Sequence, residues 1–171
     1  ARVEKVKMKT DTKMMDLKER FPYGLTDDPV EDMFNHKSKL SQLLSQEQLQ
    51  TYKNLLRMLR QMQKQKVIPT HPENNYLGDN LLASDIYLRK YYVKDLEGKH
   101  IETCPEDVFA RIAAFLAAVE ETEEKREHYA INFYNHLYHG HFLPGGRVIT
   151  GAGDLYRLKT LANCFVSIIE G

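Results

Sequence analysis

The sequence predicts a mostly α-helical chain, and three observations carry that prediction. Apolar residues recur at helical spacing in several separate segments, with capping residues at their starts. One run alone, beginning at Cys164, reads as a buried strand, which is too few for a sheet. The Pro- and Gly-rich stretches fall between the periodic segments, not inside them.

Residues 1–38 are polar, with turn signals at Phe21-Pro22-Tyr23-Gly24 and Asp27-Asp28-Pro29. They read as an extended arm with short helical pieces, ordered by packing against something else. Ser45 then opens a helix, with Gln48 completing a capping box. Leu49, Tyr52, Leu55, Leu56, Leu59 and Met62 give it one apolar stripe, and it runs to about Lys66, ahead of Pro69. Thr70 to Asp79 reads as a linker. A short helix from Leu81 flows into Tyr91-Tyr92-Val93, followed by a turn at Asp95-Leu96-Glu97-Gly98 and an extended return through His100, Ile101 and Glu102.

Thr103 or Cys104 caps the next helix, with Pro105, Glu106 and Asp107 in its first turn, where the helix dipole favours acids. Its predicted buried stripe is Val108, Ile112, Phe115, Leu116 and Val119, and its alanines permit close packing. A further helix is predicted from about His128 to His139, burying Ile131, Phe133, Tyr134 and Leu137, with Gly140 ending it.

Composition bounds the function. The chain has 171 residues, 42% hydrophobic and 28% charged, with zero formal net charge. No global field argues for nucleic acid, and no apolar stretch is long enough to span a bilayer. Two cysteines, Cys104 and Cys164, are too few for a disulfide scaffold, so a cytoplasmic setting is expected. The start at Ala1 suggests trimming, a tag remnant or a missing beginning, and the stop at Gly171 suggests a cut in mid-domain. Five basic residues lie between Lys53 and Lys66, and eight acidic ones between Glu102 and Glu127, read as solvated helix faces that attract one another or a neighbour.

Chemistry concentrates near the end. Gly145, Gly146, Gly151 and Gly153 free the backbone for close approach to a ligand, and Arg147 suits a phosphate. Cys164 follows, flanked by Asn163 and the apolar pair Phe165-Val166. Cys104 reads as a structural thiol. His136, His139 and His141 lack a carboxylate or thiol to complete a metal site, and the run Tyr87, Tyr91, Tyr92 reads as packing.

Three segments together resemble the large catalytic subunit of ribonucleotide reductase, most closely its adenosylcobalamin-dependent class II enzymes. They are Tyr91 to Thr103 with Glu106-Asp107-Val108 and Arg111-Ile112-Ala113 behind it, Phe142-Leu143-Pro144 through Gly151-Ala152-Gly153, and Asn163-Cys164-Phe165-Val166. The resemblance covers about residues 80–171. It implies a ten-stranded α/β barrel to which this chain contributes the helical N-terminal part and the first strand. The expected division is a 1–78 extension, a 79–140 helical domain and a 141–171 barrel start.

The implied reaction replaces the ribonucleotide 2′-hydroxyl by hydrogen, using a thiyl radical and a redox cysteine pair. By position Cys164 matches the first redox cysteine. Asn163 lies near the substrate edge, and the loop with Gly145, Gly146, Arg147 and Thr150 helps seat the phosphate. Gly145 and Gly146 stand where polar residues are common in the family and Arg147 follows them, so the phosphate contacts stay open. The implied cofactor is adenosylcobalamin, bound mainly by polypeptide outside this chain, with no metal in the chain itself. The implied partners are the remaining catalytic-barrel polypeptide, a nucleotide effector and a thioredoxin-like reductant, with no membrane or nucleic acid. A class I large subunit with a separate radical-generating subunit is an alternative, as is a non-catalytic helical interaction module.

Overall fold

The computed structural model describes residues 21–36, 42–72 and 75–162. Six α-helices order them: α1 Pro29–Asn35, α2 Gln46–Lys64, α3 Leu81–Ile86, α4 Pro105–Ala117, α5 Glu123–Tyr138 and α6 Gly146–Gly151. No regular strand forms among the described residues, and the predicted strand at Cys164 lies outside them.

Helix α4 is the centre, packed between α2 and α5. Cys104 occupies its cap position and Pro105 its first turn, with Glu106 and Asp107 beside the exposed amides as expected. Ala110, Ala113, Ala114 and Ala117 are fully buried, because small side chains let neighbouring helices approach closely. That choice of face corrects the predicted stripe. The helix stops at Ala117, and Leu116 and Val119 are 38% and 81% exposed.

The capping box of α2 forms as read. Ser45 Oγ accepts from the Gln48 amide at 3.1 Å, and Gln48 Oε1 accepts from the Ser45 amide at 2.8 Å. Tyr52, Leu55, Leu56 and Leu59 are buried, while Met62 is partly buried. The basic face of α2 finds acids within this chain: Lys53 and Arg57 pair with Glu31 of α1, and Arg60 with Asp107 of α4.

Helix α5 starts five residues before the reading from periodicity, at Glu123 instead of His128. Thr122 Oγ1 accepts from the Lys125 amide at 3.3 Å, and Glu123 and Glu124 fill a polar first turn that carries no apolar period. Gly140, at φ 68°, ends the helix as expected.

Between Phe21 and His36 the arm packs against the chain's own core. Asp28 Oδ1 caps α1 through the Glu31 amide at 3.0 Å, and Val30 and Met33 are buried in the common core. Phe21 packs edge-on against His100, with ring centroids 4.9 Å apart. The linker also docks: the Tyr76 hydroxyl donates to the Tyr138 carbonyl at 2.7 Å.

After α3 the chain widens into one π-helical turn, Tyr87–Tyr91, closed by the Tyr92 amide on the Tyr87 carbonyl at 2.9 Å. The expected turn then forms, with Asp95 Oδ1 accepting from the amides of Glu97 and Lys99. His100 bridges Lys94 antiparallel and Leu25 in parallel, joining arm and turn without building a full strand.

The glycine-rich stretch is not an open loop. Gly145 caps α6, and the chain turns at Gly153, φ 78°, where the Tyr52 hydroxyl donates to the Gly153 carbonyl at 2.8 Å. A Cβ at Gly153 would lie 2.4 Å from Tyr52 Oη. Gly153→Ala is therefore expected to destabilise the fold by about 1–3 kcal/mol through overpacking and positive-φ strain. A denaturant melt beside Gly140→Ala, whose added Cβ meets nothing within 4 Å, isolates the overpacking.

Candidate functional site

Residues from the turn, α4 and the end of α6 meet at Arg111. Its position one turn after Val108 places it on the inner side of α4, where it is 1% exposed. Nε and Nη2 engage both oxygens of Glu102, at 2.5 and 3.3 Å. Nη1 donates to the Ala152 carbonyl at 2.5 Å, and Nη2 to the carbonyls of Ile149 at 2.8 Å and Tyr91 at 3.3 Å. Glu102 also accepts from the Val93 amide at 2.9 Å.

Burial opposes the charge on Arg111, but attraction to Glu102 and their hydrogen bonds outweigh it and raise its pKa. A planar five-donor group suits this task, because it can satisfy several converging carbonyls at once. It is a fastener, buried among the carbonyls it binds.

The same segment is held at further points. Arg157 donates to the carbonyls of Lys94 and Asp95 at 2.6 and 2.9 Å. Lys159 donates to the Thr150 carbonyl at 2.9 Å and pairs with Asp154 at 3.2 Å. Arg111 and Tyr52 thus tie the backbone from Ile149 to Gly153 to the core, Arg157 ties the end of the segment to the turn, and Lys159 braces it internally.

The residues expected to face substrate divide into two groups. Gly145, Gly146 and Arg147 are exposed at the start of α6, and Arg147 forms no ion pair among the described residues. Thr150 is half-buried, its hydroxyl donating to the Arg147 carbonyl at 3.3 Å. Asn163 and Cys164 lie outside the described residues. Cys104 is buried, and desolvation with the nearby Asp107 and Glu106 carboxylates pushes its thiol pKa up, so it is a poor nucleophile.

Among the described residues no group of three His, Cys, Asp or Glu is placed to hold a metal ion. His139 and His141 instead stack with ring centroids 5.7 Å apart, and Tyr87 packs edge-on against Tyr91 at 5.0 Å. Sequence reasoning met Arg111 only within the resemblance and Tyr52 only as a stripe residue, read neither as a fastener, and did not single out Arg157. An arginine between Val108 and Ile112 on an apolar face was the available signal for the first.

The described residues thus present a helical unit whose last turn is fastened to it. Residues 77–157 match the family described as ribonucleotide reductase, all-alpha domain. The matched stretch spans α3, the turn, α4, α5, α6 and the Arg111 fastener, and over these residues the chain is similar to that domain. Comparison with curated proteins and with solved structures gave no match. Among the described residues no helix is long and apolar enough to cross a membrane.

Proposed function

We propose that this chain is the N-terminal part of a ribonucleotide reductase catalytic subunit, completed by a catalytic-barrel polypeptide. The observation that carries this reading is the family match over residues 77–157, which fold as a helical unit. The fastened backbone from Ile149 to Tyr156 leads in sequence directly toward Asn163 and Cys164.

In this reading Cys164 and a cysteine of the barrel polypeptide are the reductant. The substrate 2′-carbon loses its hydroxyl as water and gains hydrogen. The two electrons come from the two thiols, which close a disulfide, and a thioredoxin-like protein restores them by exchange. Asn163 hydrogen-bonds near the reacting edge, and Gly145, Gly146, Arg147 and Thr150 seat the phosphate. A nucleotide effector acts on the assembled enzyme.

The class II reading adds adenosylcobalamin as the radical source. Two concavities of the described residues, of about 360 and 420 Å³, are lined by Asp32, Asp95 and Glu97 in one and by Leu44, Tyr52 and Phe115 in the other. The reading assigns the cofactor's binding mainly to the barrel polypeptide, so no step passes through it in this chain.

The test is ribonucleotide turnover by the chain co-expressed with its barrel polypeptide. Deoxyribonucleotide formation that requires adenosylcobalamin is the expected result. Turnover without it assigns a separate radical-generating subunit, and no turnover from an intact complex leaves an interaction module. Arg147→Ala should weaken nucleotide binding by about 1.5–3 kcal/mol, the worth of a charged hydrogen bond, as read by calorimetry. Unchanged affinity removes Arg147 from the phosphate site.

A further inference from the structure

A second feature lies apart from the fastened segment. A concavity of about 360 Å³ opens between α1 and the tip of the turn, lined by Asp32, His36, Asp95, Leu96, Glu97 and Tyr156 among others. Three of these carry carboxylates. Acids alone define no ligand, but Tyr156 adds a second observation. It is 9% exposed, lines the cavity, and its hydroxyl has no hydrogen-bond partner among the described residues. Burial, then Asp95 and Asp32, push its pKa up to about 12, so the hydroxyl stays neutral beside the carboxylates and can accept a hydrogen bond. Its ring lies 4.8 Å from that of His36, at 35°.

We propose that this concavity receives a basic side chain, foremost arginine, from a partner polypeptide. A planar guanidinium matches the set: it donates to carboxylates and to a phenol oxygen, and it stacks on aromatic rings. A bare metal ion does not fit, since no three metal-ligating groups converge among the described residues. Arg157 supplies one opposing charge, but its guanidinium is engaged by the carbonyls of Lys94 and Asp95. Leu96, 62% exposed on the turn, gives the partner an apolar contact beside the charge, which favours a polypeptide over a small free cation. The inference does not depend on the reductase reading.

The test is calorimetric titration of the full chain with acetyl-Gly-Arg-Leu-Gly-amide, with the citrulline peptide and argininamide as controls. The arginine peptide should bind in the millimolar range or tighter, and more weakly as salt rises. Glu97→Gln and Tyr156→Phe should each weaken it by up to about fivefold, the usual size for an exposed ion pair or one neutral hydrogen bond. Neither side chain makes a hydrogen bond within the described fold, and thermal melts check that both variants are folded. No binding, equal binding of the citrulline peptide, or unchanged affinity in both variants overturns the proposal. Argininamide binding as tightly as the peptide overturns the polypeptide source.

Discussion

Arg111→Met is expected to destabilise the protein by about 3–5 kcal/mol, a large part of the 5–15 kcal/mol typical of a whole domain. The substitution keeps much of the side-chain volume, so the loss is electrostatic and not a cavity effect. It strands the Glu102 carboxylate at 2% exposure and removes the donors to the carbonyls of Tyr91, Ile149 and Ala152. Adding Glu102→Leu should recover part of the loss, because a buried ion pair can often be replaced by apolar groups. It should not recover all of it, since the carbonyls stay without donors. Urea melts of the two variants make the comparison. Full recovery in the double variant would reduce Arg111 to a charge partner and remove its fastening role.

The second large effect concerns turnover. On the proposed reading, Cys164→Ser in the assembled enzyme is expected to abolish steady-state reduction of ribonucleotides, because serine cannot close the disulfide that takes up the oxidising equivalents. A thermal melt of the variant separates loss of turnover from loss of fold. Cys104→Ser should leave turnover intact, in keeping with a buried thiol whose pKa is raised. Mass spectrometry after one turnover without reductant should find Cys164 bonded to a cysteine of the barrel polypeptide. Cys164 still free after product has formed would remove it as the reducing thiol.

The helices were legible because their signals are local. Ser45 with Gln48, Pro105 with Glu106 and Asp107, and Gly140 each act within one turn, and each ends or begins a helix where read. The errors came from tertiary choice. Which side of α4 faces inward was settled by its alanines being buried where α2 and α5 pack on it, a tertiary choice that no spacing within α4 can encode. The first turn of α5 escaped notice because its amides are served by Thr122 and its acids face solvent. The candidate site was legible in the same proportion. Arg147 and Thr150 stood out by residue type, whereas the carbonyls that Arg111 collects come from places as far apart as Tyr91 and Ala152.

The bond from Tyr52 to the Gly153 carbonyl spans 101 residues of sequence and crosses the edge of the family match, which begins at residue 77. Similarity and packing therefore draw different borders. Helix α2 lies wholly before the match, yet it covers one side of α4 with Leu55, Leu56 and Leu59 and supplies the hydroxyl that holds the turn after α6. A recombinant fragment trimmed to the matched stretch would lay bare that side of α4 and release Asp107 from Arg60. Anyone cloning, transplanting or annotating this domain has to carry its preceding helix along, because inheritance of the sequence and integrity of the fold begin at different residues.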